Sequence, residues 1–301
     1  MARVRYDRLP TEQHHPRSHD LDRLSPEQLV TLMNREDAGV IRAVARQRRQ
    51  IARAIRLIAH GLRCGGRLFF LGAGASGRLG VIEAAECPPT FHTSPALVQA
   101  FIAGGRRAVF RSQEGAEDRG GDARTLVRRR IQTGDVVVGI AASGVTPFVT
   151  AGLAEAAKRG AGTVLVTCNP RPASLAHLRI VLLVGPEVLT GSTRLKAGTA
   201  TKLVLNMLTV GAMVQLGKTY GNLMVDVRPT SNKLRARAIS MIRQFARCSE
   251  PDAARLLHAA HGQVKSAVVM SAQRVAYPAA RRRLARASDS LRKALEPARQ
   301  R

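Results

Sequence analysis

The sequence predicts an α/β protein built on a doubly wound parallel sheet, with an N-terminal arm and a small C-terminal helical domain. Three observations carry this expectation. Five short apolar runs alternate with helical stretches between residues 67 and 184, as strands buried on both faces do. Two of those runs end in the same Ala-Ser-Gly turn, at 75–77 and 142–144. Beyond Val227-Arg-Pro-Thr230 the apolar spacing becomes helical and stays so to residue 301. With 301 residues, 45% of them hydrophobic and 23% charged, the chain is too apolar for disorder and long enough for one large domain and a smaller one.

Residues 1–25 read as an extended arm, since Pro10, Pro16, His14-His15 and Asp20-Leu-Asp22 show no helical period. Ser25-Pro26-Glu27 opens a helix: Ser suits the N-cap, Pro the first turn, and Gln28 completes a capping box. A long amphipathic helix is expected from about Ala38 to Leu62, on the spacing of Val40, Ile41, Val44, Ile51, Ile55 and Ile58. The five strands are expected at 67–71, 96–102, 135–140, 162–167 and 179–184, and a further long helix at 196–216. This organisation divides the chain into 1–62 (arm and helix), 63–230 (the sheet domain) and 231–301 (small helical domain), with Pro251 and Pro278 punctuating the last.

The charge is extreme. Forty-eight Lys+Arg against 21 Asp+Glu give +27, only seven of the basic residues are Lys, and residues 231–301 alone carry 16 basic and four acidic side chains. A solvated Arg-rich surface and non-specific polyanion binding both fit such a balance. Aromatics at 3% with no Trp leave few stacking platforms for single strands, which makes nucleic acid the weaker partner class. No run of 18 apolar residues suggests a membrane span, and Met1 to Pro16 lacks the apolar core of a signal peptide. Cys64, Cys87, Cys168 and Cys248 lie far apart without CxxC spacing, so neither a zinc cluster nor a disulfide framework is expected, and a reducing cytoplasmic setting follows.

Open parallel sheets bind ligands outside the carboxyl ends of their strands. The first strand runs into Gly72-Ala-Gly74-Ala-Ser76-Gly77-Arg78, formally GxGxxG. The acidic partner of a dinucleotide site is missing, because the next strand ends in Phe101-Ile-Ala-Gly-Gly105, and no GK[ST] marks a nucleoside triphosphate loop. What remains is a glycine-rich turn that delivers Ser76 and Gly77 to a helix N-terminus, suited to one phosphate. The third strand repeats it with Ser143 and Gly144, followed by Thr146-Pro147. Two tight turns needing only small residues would explain the glycines, but not Ser at the same offset twice. A third hydroxyl-rich stretch, Thr190-Gly-Ser192-Thr193-Arg194-Leu-Lys196, could donate to a sugar phosphate or simply cap the next helix.

Two acidic segments could carry proton transfer. Glu83-Ala-Ala-Glu86-Cys87-Pro88-Pro89 is expected to end a helix, where a glutamate opposes the helix dipole; this suits a proton donor, and equally a solvated helix end. Glu114-Gly-Ala-Glu117-Asp118 stands out in a basic chain and reads either as a cap or as catalytic acid.

At these residues the sequence resembles the N-acetylmuramic acid 6-phosphate etherases, a family of the sugar isomerase (SIS) superfamily that also includes the glucokinase regulatory protein. The resemblance rests on Leu71-Gly-Ala-Gly-Ala-Ser-Gly-Arg-Leu-Gly80, Ala85-Glu-Cys-Pro-Pro-Thr90, Glu114-Gly-Ala-Glu-Asp118 and Asp135-Val-Val-Val-Gly-Ile-Ala-Ala-Ser-Gly144. It continues in Thr190-Gly-Ser-Thr-Arg-Leu-Lys-Ala-Gly-Thr-Ala200, Lys202-Leu-Val-Leu-Asn-Met207 and Tyr220-Gly-Asn-Leu-Met-Val-Asp226. Leu9-Pro-Thr-Glu12 and Asp20-Leu-Asp-Arg-Leu-Ser25 look like the family's arm, and the match runs in order from about residue 9 to 245.

The resemblance implies a SIS, flavodoxin-like fold and a cytoplasmic homodimeric lyase. The enzyme would cleave a D-lactyl ether to give N-acetylglucosamine 6-phosphate and D-lactate in cell-wall sugar recycling, without metal or organic cofactor. It also implies roles. Glu86 would protonate the departing lactate oxygen and activate water, and Glu117 would take the C2 proton. Ser76, Gly77, Ser143, Gly144, Ser192, Thr193 and Lys196 would hold the sugar phosphate. The sequence departs from the family pattern at Gln13-His14-His15-Pro16, where Arg-Asn or a similar pair usually precedes Pro, at Val145, often Arg, and at Glu83 and Ala85, commonly Asp and Ser. A sugar phosphate-sensing regulator of the same superfamily is the alternative. It would need the serine turns but neither glutamate, and residues 1–62 show no helix-turn-helix.

Overall fold

The computed structural model describes Asp7, residues 9–227, Pro229 and residues 231–296. The beginning of the expected arm, two positions just before the tail and the last five residues lie outside the described residues. The chain forms two compact units, one comprising the chain up to Ala85 with Pro95–Thr209, the other Glu86–Ser94 with the chain from Val210 onward. They are partitioned differently from the segments 1–62, 63–230 and 231–301.

In the first unit the arm is not extended. It turns repeatedly over residues 9–20 and closes in a 3₁₀ turn at Leu21–Arg23. Helix α1 spans Pro26–Arg46; Ser25 accepts the Gln28 amide and Gln28 returns to the Ser25 amide, a complete capping box. Helix α2 spans Arg48–Arg63. The single helix expected from Ala38 to Leu62 is therefore interrupted at Gln47, whose φ of −92° and ψ of 8° leave the helical region. Its side-chain oxygen accepts the Val181 amide at 3.2 Å, a tertiary bond no local pattern announces.

The sheet comprises β1 (Leu68–Gly72), β2 (Val98–Ile102), β3 (Val136–Ile140), β4 (Gly162–Thr167) and β5 (Leu178–Val181). Between β1 and β2 lies α3 (Gly74–Phe91), between β2 and β3 α4 (Arg107–Phe110) and α5 (Gly120–Arg130), and between β3 and β4 α6 (Pro147–Lys158); α7 (Lys196–Gln215) follows β5. All strand pairs are parallel and the order is β2-β1-β3-β4-β5, the flavodoxin-like order. The order reverses between β1 and β3, and the pairing of Gly72 with Ile140 sets the two strand ends level there. Both serine turns thus emerge side by side.

Alternate strand residues explain why both faces are covered. Phe69, Leu71, Val137 and Leu165 share one core with Val127 of α5 and Val149 and Leu153 of α6. On the other face α3 approaches closely: a Cβ on Gly80 would stand 2.9 Å from Cβ of Phe70. Each fully buried large apolar side chain contributes roughly 1.5–3 kcal/mol.

Helix α3 does not end among Glu83–Pro89 as expected. It continues through Pro88 and Pro89 to Phe91, with Cys87 and Phe91 buried. The prolines forfeit amide donors to the preceding turn, yet Pro88 still accepts the His92 amide at 3.0 Å. By length and composition α7 could cross a membrane, and 50% of that stretch is buried inside the protein.

The second unit holds α8 (Asn232–Ala246), α9 (Glu250–Ala259), α10 (Val264–Gln273), α11 (Tyr277–Arg286) and α12 (Leu291–Leu295) around Met241, Ile242, Leu257, Val268 and Leu284. Within it the buried Lys265 ammonium donates to Asp226 at 2.8 Å and to Asp289 at 3.0 Å.

Candidate active site

The first serine turn is forced by glycine. A Cβ on Gly72 would lie 2.7 Å from the Gly77 nitrogen, and one on Gly77 would lie 2.9 Å from the Gly72 oxygen. Only two bare α-carbons let β1 pass so abruptly into α3, leaving Ser76 in its first turn. The second turn is held by hydrogen bonds instead. Asn169, buried just after β4, donates to the Ser143 carbonyl at 2.8 Å, and Thr167 donates to the Ala142 carbonyl at 3.2 Å. Gly144 adopts φ +71°, where any Cβ would meet Pro172 and Thr167 at 2.8 Å.

Between these turns lies a cavity of about 350 Å³, within the size range of small-molecule sites. Ser76 and Ser143 line it, with Thr146 and Thr193 adding hydroxyls. Glu117 and Asp118 enter from a 3₁₀ turn at Ala116–Asp118, anchored by the buried Ala116. They do not cap the helix that follows, because α5 has no side-chain cap. Glu12 and Thr11 enter from the arm. The arm is tied to the rim by the Gly191 amide, which donates to the Thr11 carbonyl at 3.2 Å. The lining therefore combines five hydroxyls with three carboxylates and no Lys, Arg or His.

Behind the arm sits an ion cluster centred on Glu36. It accepts from Lys196 Nζ at 2.8 Å and His15 Nε2 at 2.9 Å, and pairs with Arg17. His15 Nδ1 accepts the Arg17 amide, which leaves Nε2 to carry the proton toward Glu36. Burial pushes Glu36 upward, but the hydrogen bonds from Lys196 and His15 overcome it and hold the carboxyl at about 2. His15, within the Gln13-His14-His15 stretch noted in the sequence, thus supplies a buried contact. Next to this cluster Glu187 accepts the Lys196 and Ala197 amides at 2.9 and 2.8 Å and caps α7; its burial raises its pKa against those bonds. Burial, together with the Glu187 charge, pushes the Cys168 thiol up to about 12.

The cavity brings together Ser76, Ser143, Thr193 and Glu117 of the residues expected from sequence, and the departure Val145 also lines it. Gly77 and Gly144 shape the turns without lining it, and Ser192 neighbours its rim. Lys196 is not among the lining residues; its ammonium is buried against Glu36. Glu86 lies exposed on α3 in the segment grouped with the helical unit. Glu83 is buried on α3 and accepts from Asn206 at 2.6 Å and from Thr209, fastening α3 to α7. Residue-level reading missed Glu12, although Leu9-Pro-Thr-Glu12 was visible as a motif, and Asn169, for which no local signal exists. Among the described residues no group of three or more His, Cys, Asp or Glu side chains is placed to hold a metal ion.

A family model for the N-terminal SIS domain of the glucokinase regulatory protein matches residues 50–157. Among curated relatives, an N-acetylmuramic acid 6-phosphate etherase from Rippkaea orientalis is 51% identical over 87% of this chain and 87% of its own. One from Symbiobacterium thermophilum is 51% identical over 87% and 88%, and one from Synechocystis sp. is 47% identical over 96% of both. The chain belongs to the N-acetylmuramic acid 6-phosphate etherase family. The match to the Synechocystis etherase spans the α/β unit and continues into the helical unit, so both units belong to the family's architecture.

Proposed function

We propose that the protein cleaves the D-lactyl ether of N-acetylmuramic acid 6-phosphate, giving N-acetylglucosamine 6-phosphate and D-lactate. The observation that carries this reading is the convergence of two serine turns and Glu117 on one cavity at the point where strand order reverses. Ser76, Ser143 and Thr193 donate to the phosphate. Opening of the sugar ring exposes the C1 aldehyde and acidifies the C2 proton, which Glu117 removes. The C3–oxygen bond then breaks, and Glu86 protonates the departing lactate. Water adds at C3 with Glu86 as base, and a proton returns to C2. Each positioned proton transfer is worth roughly 10²–10⁴-fold in rate. The assignment of Glu86 rests on its Glu-Cys-Pro-Pro motif, and no step calls on a metal or organic cofactor.

The protein is further proposed to work as a homodimer in the cytoplasm. An apolar groove of about 340 Å³, lined by Ile41, Ile51, Ile55, Leu203 and Met207, supports self-association, with Ile41 61% and Met207 42% exposed. All four cysteines are free, which suits a reducing compartment. The test is direct: purified protein incubated with N-acetylmuramic acid 6-phosphate is assayed for D-lactate, and Glu86→Ala and Glu117→Gln are compared. Release by wild type and its loss in both variants supports the reading; no release by wild type overturns it.

A further inference from the structure

The substrate of the proposed reaction carries two anionic groups, a phosphate and the lactyl carboxylate. The cavity that holds the serine turns contains three carboxylates and no cation among its lining residues. A second recess of about 480 Å³ in the same unit has the opposite character. It lies between the first two turns of α3 and those of α7 and is lined by Arg78, Arg194 and Lys202, with Leu79 and Gly198 and no acidic residue. It shares elements with the first cavity. Ser76 lines one and Ala75 and Arg78 the other, while Thr193 lines the first and Arg194 the second.

We propose that this recess is a carboxylate subsite that takes the lactyl end of the substrate. In a chain of +27, unpaired surface cations are common, so their number alone decides little. Here three are gathered on a concave surface, from α3, from α7 and from the turn that leads into α7, and one of them is fixed. Arg78 donates through Nε to the Val109 carbonyl at 2.8 Å, which orients its guanidinium. Arg194 and Lys202 form no ion pair among the described residues, so their charge is available to a ligand. Leu79 supplies the apolar wall that a lactyl methyl needs. A guanidinium and an ammonium recognise an anion by charge-assisted bonds, and the serine turns with their helix N-terminus already offer donors to the phosphate, which leaves the carboxylate for this recess. The subsite would also stabilise D-lactate as it departs with its full charge.

This inference rests on the proposed lyase reading, and the experiment separates the two. Arg194→Ala and Lys202→Ala change exposed side chains. Each is expected to raise KM for N-acetylmuramic acid 6-phosphate roughly tenfold or more, as loss of a charged hydrogen bond does. Inhibition by N-acetylglucosamine 6-phosphate, which lacks the carboxylate, is expected to stay within twofold of wild type. Lys202→Arg restores KM. Inorganic phosphate serves as a third arm: its inhibition is unchanged in the variants if the recess takes the carboxylate. A parallel rise in KM and in both inhibition constants makes the recess a phosphate site and overturns the proposal; so does an unchanged KM. Absence of D-lactate release by wild type strikes the lyase reading instead, and D-lactate binding measured by titration in wild type and Arg194→Ala then tests the recess alone.

Discussion

Removing the Glu36 carboxylate tests how the arm is held over the cavity. Its side chain is 10% exposed and that of Lys196 4%, so Glu36→Ala strands an almost fully buried ammonium. Breaking a buried pair from one side costs about 3–5 kcal/mol. The depression of the Glu36 carboxyl from 4.5 to about 2 gives an independent figure, about 3 kcal/mol at about 1.4 kcal/mol for each pKa unit. The two routes agree. A carboxylate held below its unfolded value stabilises the fold fully above about pH 5, and that stabilisation is lost as pH falls toward about 2. Hydrogen exchange of the β1 and β3 amides across a urea series reads the stability of the α/β unit. Wild type should lose about 3 kcal/mol between pH 5 and pH 2 in excess of Glu36→Ala, and the variant should be weaker by that amount at pH 7. Cleavage within residues 9–20 by a protease should also accelerate in the variant. Pairing Glu36→Leu with Lys196→Met removes both charges and should recover most of the loss. A loss below about 1 kcal/mol in Glu36→Ala, or an identical acid dependence in variant and wild type, would show that the Glu36–Lys196 pair does not stabilise the fold.

Three further outcomes follow from the geometry. Gly77→Ala drives a Cβ into the Gly72 carbonyl at 2.9 Å, so it should open the turn and abolish activity while Ser76→Ala, which keeps the backbone, only weakens binding of the sugar phosphate; kcat and KM of the two variants distinguish them. Glu187→Gln places an amide NH₂ against one of the two backbone donors it now accepts, and thermal or urea unfolding should show a loss of about 1–3 kcal/mol. Cys168, buried and pushed up to about 12, should resist iodoacetamide at pH 8 in the native protein, whereas exposed Cys64 labels readily; peptide mass spectrometry reads both.

Much of the fold is legible in the sequence because its strands are buried on both faces. Val136-Val-Val138 and Val164-Leu-Val166 have no polar residue to mislead a reading, and the capping box at Ser25 is local chemistry that no tertiary contact overrides. The first serine turn is legible for a local reason, since Gly72 and Gly77 answer to each other, whereas Gly144 of the second answers to Pro172 and Thr167. What escapes is decided across the chain. The break at Gln47 answers to Val181, and α3 persists through Pro88 and Pro89 with Cys87 and Phe91 buried around them. Lys196 looks like an anion ligand at a helix start, but a glutamate 160 residues away claims its charge. Glu12 belongs to a motif whose place over the cavity is set by the bond from Gly191 to Thr11. Spacing along a chain shows which residues share an element, and it is silent on which buried charge a lysine will meet.

The proposed reaction is an elimination at C2 and C3 followed by hydration. It is tested most directly by running the reaction with N-acetylmuramic acid 6-phosphate in deuterium oxide and measuring the isotope at C2 of the sugar product. Elimination and hydration place one solvent deuterium at C2 of N-acetylglucosamine 6-phosphate, formed in step with D-lactate by wild type and not by Glu117→Gln. D-lactate released with the original C2 hydrogen fully retained would contradict it.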